Sequence, residues 1–242
     1  MASIEERLAS VQHRIAEAAR TAGREPSEIR LLGATKKKPL QAIQEAYAAG
    51  LRDFGENYVQ ELQRKAEGCA DLADIRFHMI GRLQRNKARH VVRAASVVQS
   101  VDSIRLAQEL GRRAAEWPVP EPRRFAPPGR TADGRLVVLV EVNIGAETDK
   151  SGCSPSELEP LLRAVEEQPA LALAGLMTLP PHTPDPAGAR PYFDALRRLQ
   201  ERHGGPDRLP ELSMGMTHDL EHAVAAGATI VRVGTAIFGP RT

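Results

Sequence analysis

Eight short apolar runs, separated by longer amphipathic stretches along 242 residues, constrain this chain more than any other feature of it. The runs are residues 29–35, 52–56, 76–80, 97–101, 136–144, 171–179, 211–216 and 229–233. Their lengths suit strands. The stretches that follow most of them, 40–49, 58–67, 104–117, 157–167, 191–203 and 220–226, repeat apolar residues at helical spacing. Strands that alternate with helices are joined by crossovers, so they pair in parallel. Eight such units in a chain this long close into a barrel, since a (β/α)8 barrel takes about 250 residues. A doubly wound open sheet is the alternative. It normally carries a glycine fingerprint after its first strand, and residues 31–39 have none. The expectation is an α/β chain folded as a single TIM barrel, one domain over residues 1–242, with an extra N-terminal helix. In that helix Ser3 and Glu6 have capping-box spacing, Ile4, Leu8, Val11 and Ile15 share one face, and Gly23 ends it.

Composition narrows the partners. Apolar residues at 42% can fill a sizeable core, and aromatics at 4% require that core to be aliphatic. Basic and acidic residues, 33 against 31, nearly balance, which gives no electrostatic ground for nucleic acid or an anionic membrane. No apolar run approaches the ~20 residues of a membrane span. The first ten residues carry charge where a signal peptide would be apolar. Cys69 and Cys153 lack metal-ligand spacing and read as reduced thiols. A cytoplasmic monomer is expected. Residues 118–134, with five prolines and two glycines, read as a surface loop, as does the proline-rich 180–188. Ser154, Pro155 and Glu157 read as a helix start with Pro at the first helical position.

In such a barrel the chemistry sits at the C-terminal strand ends and in the loops after them. Lys36 closes the first run, with Leu32 and Ala34 on the same face. A lysine buried there has its pKa lowered and becomes a nucleophile for an aldehyde; a solvated turn of Lys36, Lys37 and Lys38 is the alternative. Arg232 interrupts an apolar eighth run and is expected to meet a ligand or a carboxylate. The loops after the last two runs combine glycine, hydroxyl groups and a helix start. They are Ser213-Met214-Gly215-Met216-Thr217, with a helix opening at Asp219, and Gly234-Thr235. That combination is the phosphate site of TIM barrels. Asn57 either caps the next helix or faces the site. Weaker candidates are His218 and His222, spaced for a metal on one helix face but without a third ligand, and the basic cluster Arg82, Arg85, Lys87 and Arg89. Cys153 is expected to be a packed thiol near the active face.

Seven motifs in order then carry a resemblance along the whole chain: ATKKKP around Lys36, FGENYVQE at 54–61, FHMIGRLQRNK at 77–87, VNIGAETDKSG at 142–152, GLMTLP at 175–180, LSMGMTHD at 212–219 and VRVGTAIFG at 231–239. The sequence resembles the pyridoxal-phosphate homeostasis protein family, of YggS or PROSC type. The resemblance implies a barrel like the N-terminal domain of alanine racemase, with pyridoxal 5′-phosphate as an aldimine on Lys36. It implies a phosphate held at Ser213, Gly215, Met216, Gly234 and Thr235, Arg232 against the ring nitrogen, and Asn57 beside the ring. The departures are Thr35 and Thr217 where serine is usual, Met79 where an aromatic is usual, and a longer 118–134 stretch. The implied role is cofactor storage and delivery and amino-acid balance, with apo-enzymes that use the cofactor as partners. Rival readings are an amino-acid racemase and a Schiff-base lyase on a phosphorylated substrate. Racemase activity is expected to be absent or very slow, because the second base of alanine racemase is a tyrosine from a C-terminal domain that has no counterpart in this sequence.

Overall fold

The computed structural model describes residues 2–117 and 134–240. Eight parallel strands close into a barrel in chain order: β1 (Arg30–Ala34), β2 (Asp53–Glu56), β3 (Arg76–Met79), β4 (Val97–Val101), β5 (Leu136–Glu141), β6 (Leu171–Met177), β7 (Glu211–Ser213) and β8 (Ile230–Val233). The helices are α1 (Ile4–Thr21), α2 (Leu40–Ala48), α3 (Val59–Gly68), α4 (Ala88–Val91), α5 (Ile104–Glu116), α6 (Leu158–Glu166), α7 (Arg190–Arg202), α8 (Gly205–Arg208), α9 (Leu220–Ala225) and α10 (Thr235–Phe238). Every expected strand and helix is present. The short α4 and α8 lie between the periodic segments and carried no pattern of their own.

The first helix forms for the reason its sequence gives. The Ser3 hydroxyl accepts from the Glu6 N–H, the Glu6 carboxylate accepts from the Ser3 N–H, and Ile4, Leu8, Val11 and Ile15 are buried. Each such side chain stabilises by roughly 1.5–3 kcal/mol on burial. Helix α1 lies against α9 and α10, below the last strand–helix units. Two cores result. Leu32, Ile80, Val97, Val137, Leu139, Ala172, Ala174, Met177 and Ile230 fill the barrel, and a larger aliphatic shell joins barrel to helices.

Several boundaries differ from expectation; β6 and β7, for instance, end at Met177 and Ser213, short of 179 and 216. Strand β5 ends at Glu141, not residue 144, because Asn143 staples the following loop: its side chain donates to the Glu147 carbonyl at 2.8 Å and accepts from the Glu147 N–H at 3.2 Å. Helix α6 begins at Leu158. Pro155 lies in a turn ahead of it, held by Ser154 N–H and hydroxyl bonds to Glu157, at 2.9 and 2.7 Å. The end of the 180–188 loop is a 3₁₀ turn, Pro186–Ala189. The proline-rich stretch 118–134 falls, apart from Gly134, outside the described residues.

Candidate functional site

Strands β7, β8, β1 and β2 are consecutive neighbours, and their C-terminal ends bring the sequence candidates to one arc of the rim. The Arg232 N–H donates to the Gly215 carbonyl at 2.9 Å, which ties β8 to the loop after β7. Gly234 lies so close to β1 that a Cβ there would come within 3.1 Å of the Ala34 carbonyl oxygen. Lys36 Nζ sits 4.9 Å from the centre of the Tyr58 ring, beyond β2.

Leu32 and Ala34 face the barrel interior as alternation requires. Lys36 stands in the turn just past the strand and is half-buried rather than buried. Its amine makes no hydrogen bond among the described residues. Beneath that turn is a charged network that sequence reasoning missed. Lys65 is 1% exposed and Glu56 fully enclosed. The Lys65 ammonium donates to the Thr35 carbonyl at 2.7 Å, Glu56 at 2.7 Å and Glu61 at 2.9 Å. The Thr35 hydroxyl also donates to Glu56. Glu61 accepts from the Lys37 N–H at 2.8 Å, holding a residue whose φ is +60°. Burial pushes the Glu56 carboxyl up, against the pull of Lys65 and Thr35. Burial acts on Glu61 too, but the Lys65 and Lys37 bonds and the Lys65 charge bring it below the usual range. Glu56 and Glu61 were in view within the FGENYVQE motif, and the i,i+4 spacing of Glu61 and Lys65 was the available signal.

The two glycine turns form as expected. Gly215 has φ +91°, and a Cβ there would lie 2.4 Å from the Ala223 Cβ, so no side chain fits. Gly234 precedes α10, whose first-turn N–H groups at Thr235 and Ala236 have no intrahelical acceptor. Thr235 and Met216 are exposed at the rim. Asp219 stands at the start of α9, but its carboxylate accepts from the Met216 N–H at 2.6 Å and closes the β7 turn on itself.

Arg232 points into the barrel and is 4% exposed. Its guanidinium donates to the Ser213 hydroxyl oxygen at 2.6 Å and the Thr178 carbonyl at 2.8 Å, and among the described residues to no carboxylate. Burial lowers its pKa to about 10, opposed by Glu141 and Asp219, so it is charged at neutral pH. The Ser213 side chain, expected at a phosphate, is buried and turned inward, where its hydroxyl donates to Gln99 Oε1 at 2.6 Å. Glu141, at the end of β5, accepts from the Ser151 hydroxyl at 2.9 Å, while its other carboxyl oxygen has no partner among the described residues. Burial raises its pKa to about 7, against the Ser151 bond. His78, Gln99 and Asp53 are likewise buried polar groups on strands. Gln99, in the apolar strand Val97–Val101, carried the same signal as Arg232.

Other candidates resolve differently. The N-cap of α3 is Tyr58, with no side-chain bond, so Asn57 does not cap that helix. Asn57 lies instead with Tyr58, Gln60, Arg82, Gln84 and Lys87 around a cavity of about 390 Å³. His218 precedes α9, is exposed and points to the Pro184 carbonyl at 3.3 Å, while His222 lies within α9, so the i,i+4 spacing does not put the two rings on one helix face. Among the described residues no group of three or more side chains could hold a metal. Cys153 is buried and its thiol is pushed up to about 12 by burial, the packed thiol expected. Among the described residues no helix is long and apolar enough to cross a membrane.

Residues 7–242 match the family model of the alanine racemase N-terminal domain, which defines the class of barrel. Alanine racemase from Streptomyces coelicolor A3(2) shares the fold, with a TM-score of 0.69 at 19% identity over 97% of this chain and 58% of that one. The chain belongs to the pyridoxal phosphate homeostasis protein family. It is 43% identical to the Pseudomonas aeruginosa member over 100% of this chain and 97% of that one. It is 41% identical to the Escherichia coli K12 member over 100% and 98%. The structure of PipY from Synechococcus elongatus PCC7942 with PLP bound covers 98% of this chain and 100% of its own, at 36% identity and a TM-score of 0.78.

Proposed function

We propose that this rim binds pyridoxal 5′-phosphate, held covalently by Lys36, and that the protein acts in cofactor homeostasis and amino-acid balance without strong catalysis of its own. The observation that carries this is the juxtaposition of one unbonded, half-buried amine with two glycine turns on adjacent strands. The donor set suits the ligand. The N–H groups and hydroxyl at Gly234 and Thr235 suit a phosphate dianion, with the turn at Gly215 and Met216 beside them. A donor-only Arg232 suits an unprotonated ring nitrogen, and Asn57, next to the Tyr58 that Lys36 approaches, is the residue that would lie beside the ring. When bound, the cofactor supplies an aldehyde and an electron-withdrawing ring. Arg232 supplies no proton acceptor, so it withholds the ring protonation that carbanion chemistry needs. The relatives named for cofactor homeostasis, and PipY with its PLP, support the same reading. The whole chain, residues 1–242, acts as one cofactor-binding domain, a cytoplasmic monomer that serves apo-enzymes using this cofactor.

The test is reduction of the cofactor-loaded protein with borohydride followed by peptide mapping. A single adduct on Lys36 supports the reading. An adduct on Lys37, Lys38 or Lys65 overturns it.

A further inference from the structure

A chain of buried hydrogen bonds crosses the barrel interior behind Arg232. From Arg232 it passes to Ser213 at 2.6 Å, from Ser213 to Gln99 at 2.6 Å, and between Gln99 Nε2 and His78 Nδ1 at 2.9 Å. His78 Nε2 and Asp53 follow at 2.9 Å, and Asp53 is clamped by Arg76 at 2.8 and 2.5 Å. It links β8, β7, β4, β3 and β2. From Arg232 to Asp53 every member is at most 4% exposed.

The direction of each bond is forced from the two ends. Burial works against the Asp53 carboxylate, but its bonds to His78 and Arg76 hold it well below the usual range, so it is ionised and only accepts. His78 Nε2 must therefore donate. Burial, helped by the charges of Arg30 and Arg76, lowers the His78 pKa against the pull of Asp53. A neutral imidazole that donates through Nε2 accepts at Nδ1. Gln99 must then present its amide N–H to His78, which leaves its carbonyl oxygen for Ser213. Arg232 has no acceptor, so the Ser213 oxygen receives its N–H and the Ser213 proton goes to Gln99. With His78 neutral, no bond in the chain has a choice of orientation.

We infer that Ser213, Gln99 and His78 form a one-way relay that positions the Arg232 guanidinium, and that the Ser213 hydroxyl serves Arg232 and not the phosphate. The inference rests on the proposed cofactor site for what Arg232 faces. The relay itself does not. A guanidinium held at Ser213 and at the Thr178 carbonyl keeps its remaining N–H groups aimed from a fixed point. Loss of the relay leaves the phosphate turns and Lys36 in place but frees Arg232 to rotate. Ser213, Gln99 and His78 are thus positioning residues, distinct from the groups that hold the cofactor.

The relay is tested first without cofactor, by ¹⁵N NMR of the histidine rings between about pH 6 and 8. The His78 ring, assigned by its loss in His78→Asn, is expected as the neutral Nε2–H form throughout. An imidazolium, or the Nδ1–H form, overturns the relay whatever the protein binds. The second test uses cofactor labelled with ¹⁵N at the ring. Ser213→Ala and Gln99→Met should each move the ring-nitrogen resonance away from its position in the unmodified protein, with Kd changed by less than about threefold. The double variant should match either single one, and Ser213→Thr should restore the original signal. If Ser213→Ala raises Kd by about tenfold or more with the ring signal unmoved, Ser213 is a phosphate ligand and the inference fails. If the unmodified protein binds no cofactor, the proposed function fails, and the His78 spectrum still decides the relay.

Discussion

Replacing Lys65 with methionine keeps the length of the side chain and removes its charge from a site where Lys65 and Glu56 are 1% and 0% exposed. Three bonds are lost together, to Thr35, Glu56 and Glu61. Breaking one partner of a buried pair costs about 3–5 kcal/mol, because the surviving charge is left without compensation. For a chain of this size that corresponds to a fall in Tm of roughly 6–20 °C. The loss should depend on pH with a definite sign. The Glu56 carboxyl is already raised in the folded protein, and without Lys65 it rises further. Its folded form therefore binds protons that the unfolded form releases, and stability falls as pH rises through the folded pKa. Lys65→Met should accordingly lie closer to the unmodified protein at about pH 5.5 than at about pH 8. Adding Glu56→Gln removes the stranded charge and should recover much of the loss. Urea denaturation of the three proteins at both pH values provides the measurement. A Lys65→Met loss below about 1 kcal/mol at the higher pH, or a double variant no better than the single one, would refute the reasoning.

Four further outcomes are expected. Thr235 is exposed, so Thr235→Ala should weaken cofactor retention while leaving stability within about 0.5 kcal/mol; equal retention would put the phosphate elsewhere. Gly215→Ala should cost about 1–3 kcal/mol in thermal denaturation, since its φ is +91° and Ala223 fills the space a Cβ needs. Glu141 has its folded pKa raised to about 7, so its share of stability is complete below the unfolded value and lost as pH rises through 7. Glu141→Gln should thus gain on the order of 3 kcal/mol relative to the unmodified protein between acid and alkaline conditions, and parallel pH–stability curves would contradict it. Cys153, buried with its thiol pushed up to about 12, should resist iodoacetamide in the native protein and react after denaturation; rapid native labelling would show an open site.

The barrel was legible because its strands are apolar where they are buried and its helices are amphipathic where they cover them. Each expected run became a strand, and the errors were at ends, where a side chain such as Asn143 decided where pairing stopped. The candidate rim was legible through its glycines, through Lys36 at a strand end and through Arg232 in a costly position. The polar interior was not. His78, Gln99, Asp53 and Glu141 lie one per strand, and no spacing within a strand announces partners on four different strands. Ser213 shows the same limit: its motif fits a phosphate turn, while its hydroxyl bonds Gln99 and Arg232 from elsewhere in the chain, which no motif announces.

The Lys65 network has a consequence for chemical selectivity. Two amines lie beside Thr35, and both could in principle condense with an aldehyde. An ammonium has three protons, and all three at Lys65 are given away, at 2.7, 2.7 and 2.9 Å. To expose a lone pair, that nitrogen would have to surrender a proton to its own ion-pair partners and turn out of a closed cage. The neighbouring amine of Lys36 makes no hydrogen bond among the described residues and rests near the face of Tyr58. An electrophile arriving at the rim therefore meets one amine that is uncaged and one whose protons are all engaged, and the choice between two chemically identical groups is made by what surrounds each nitrogen.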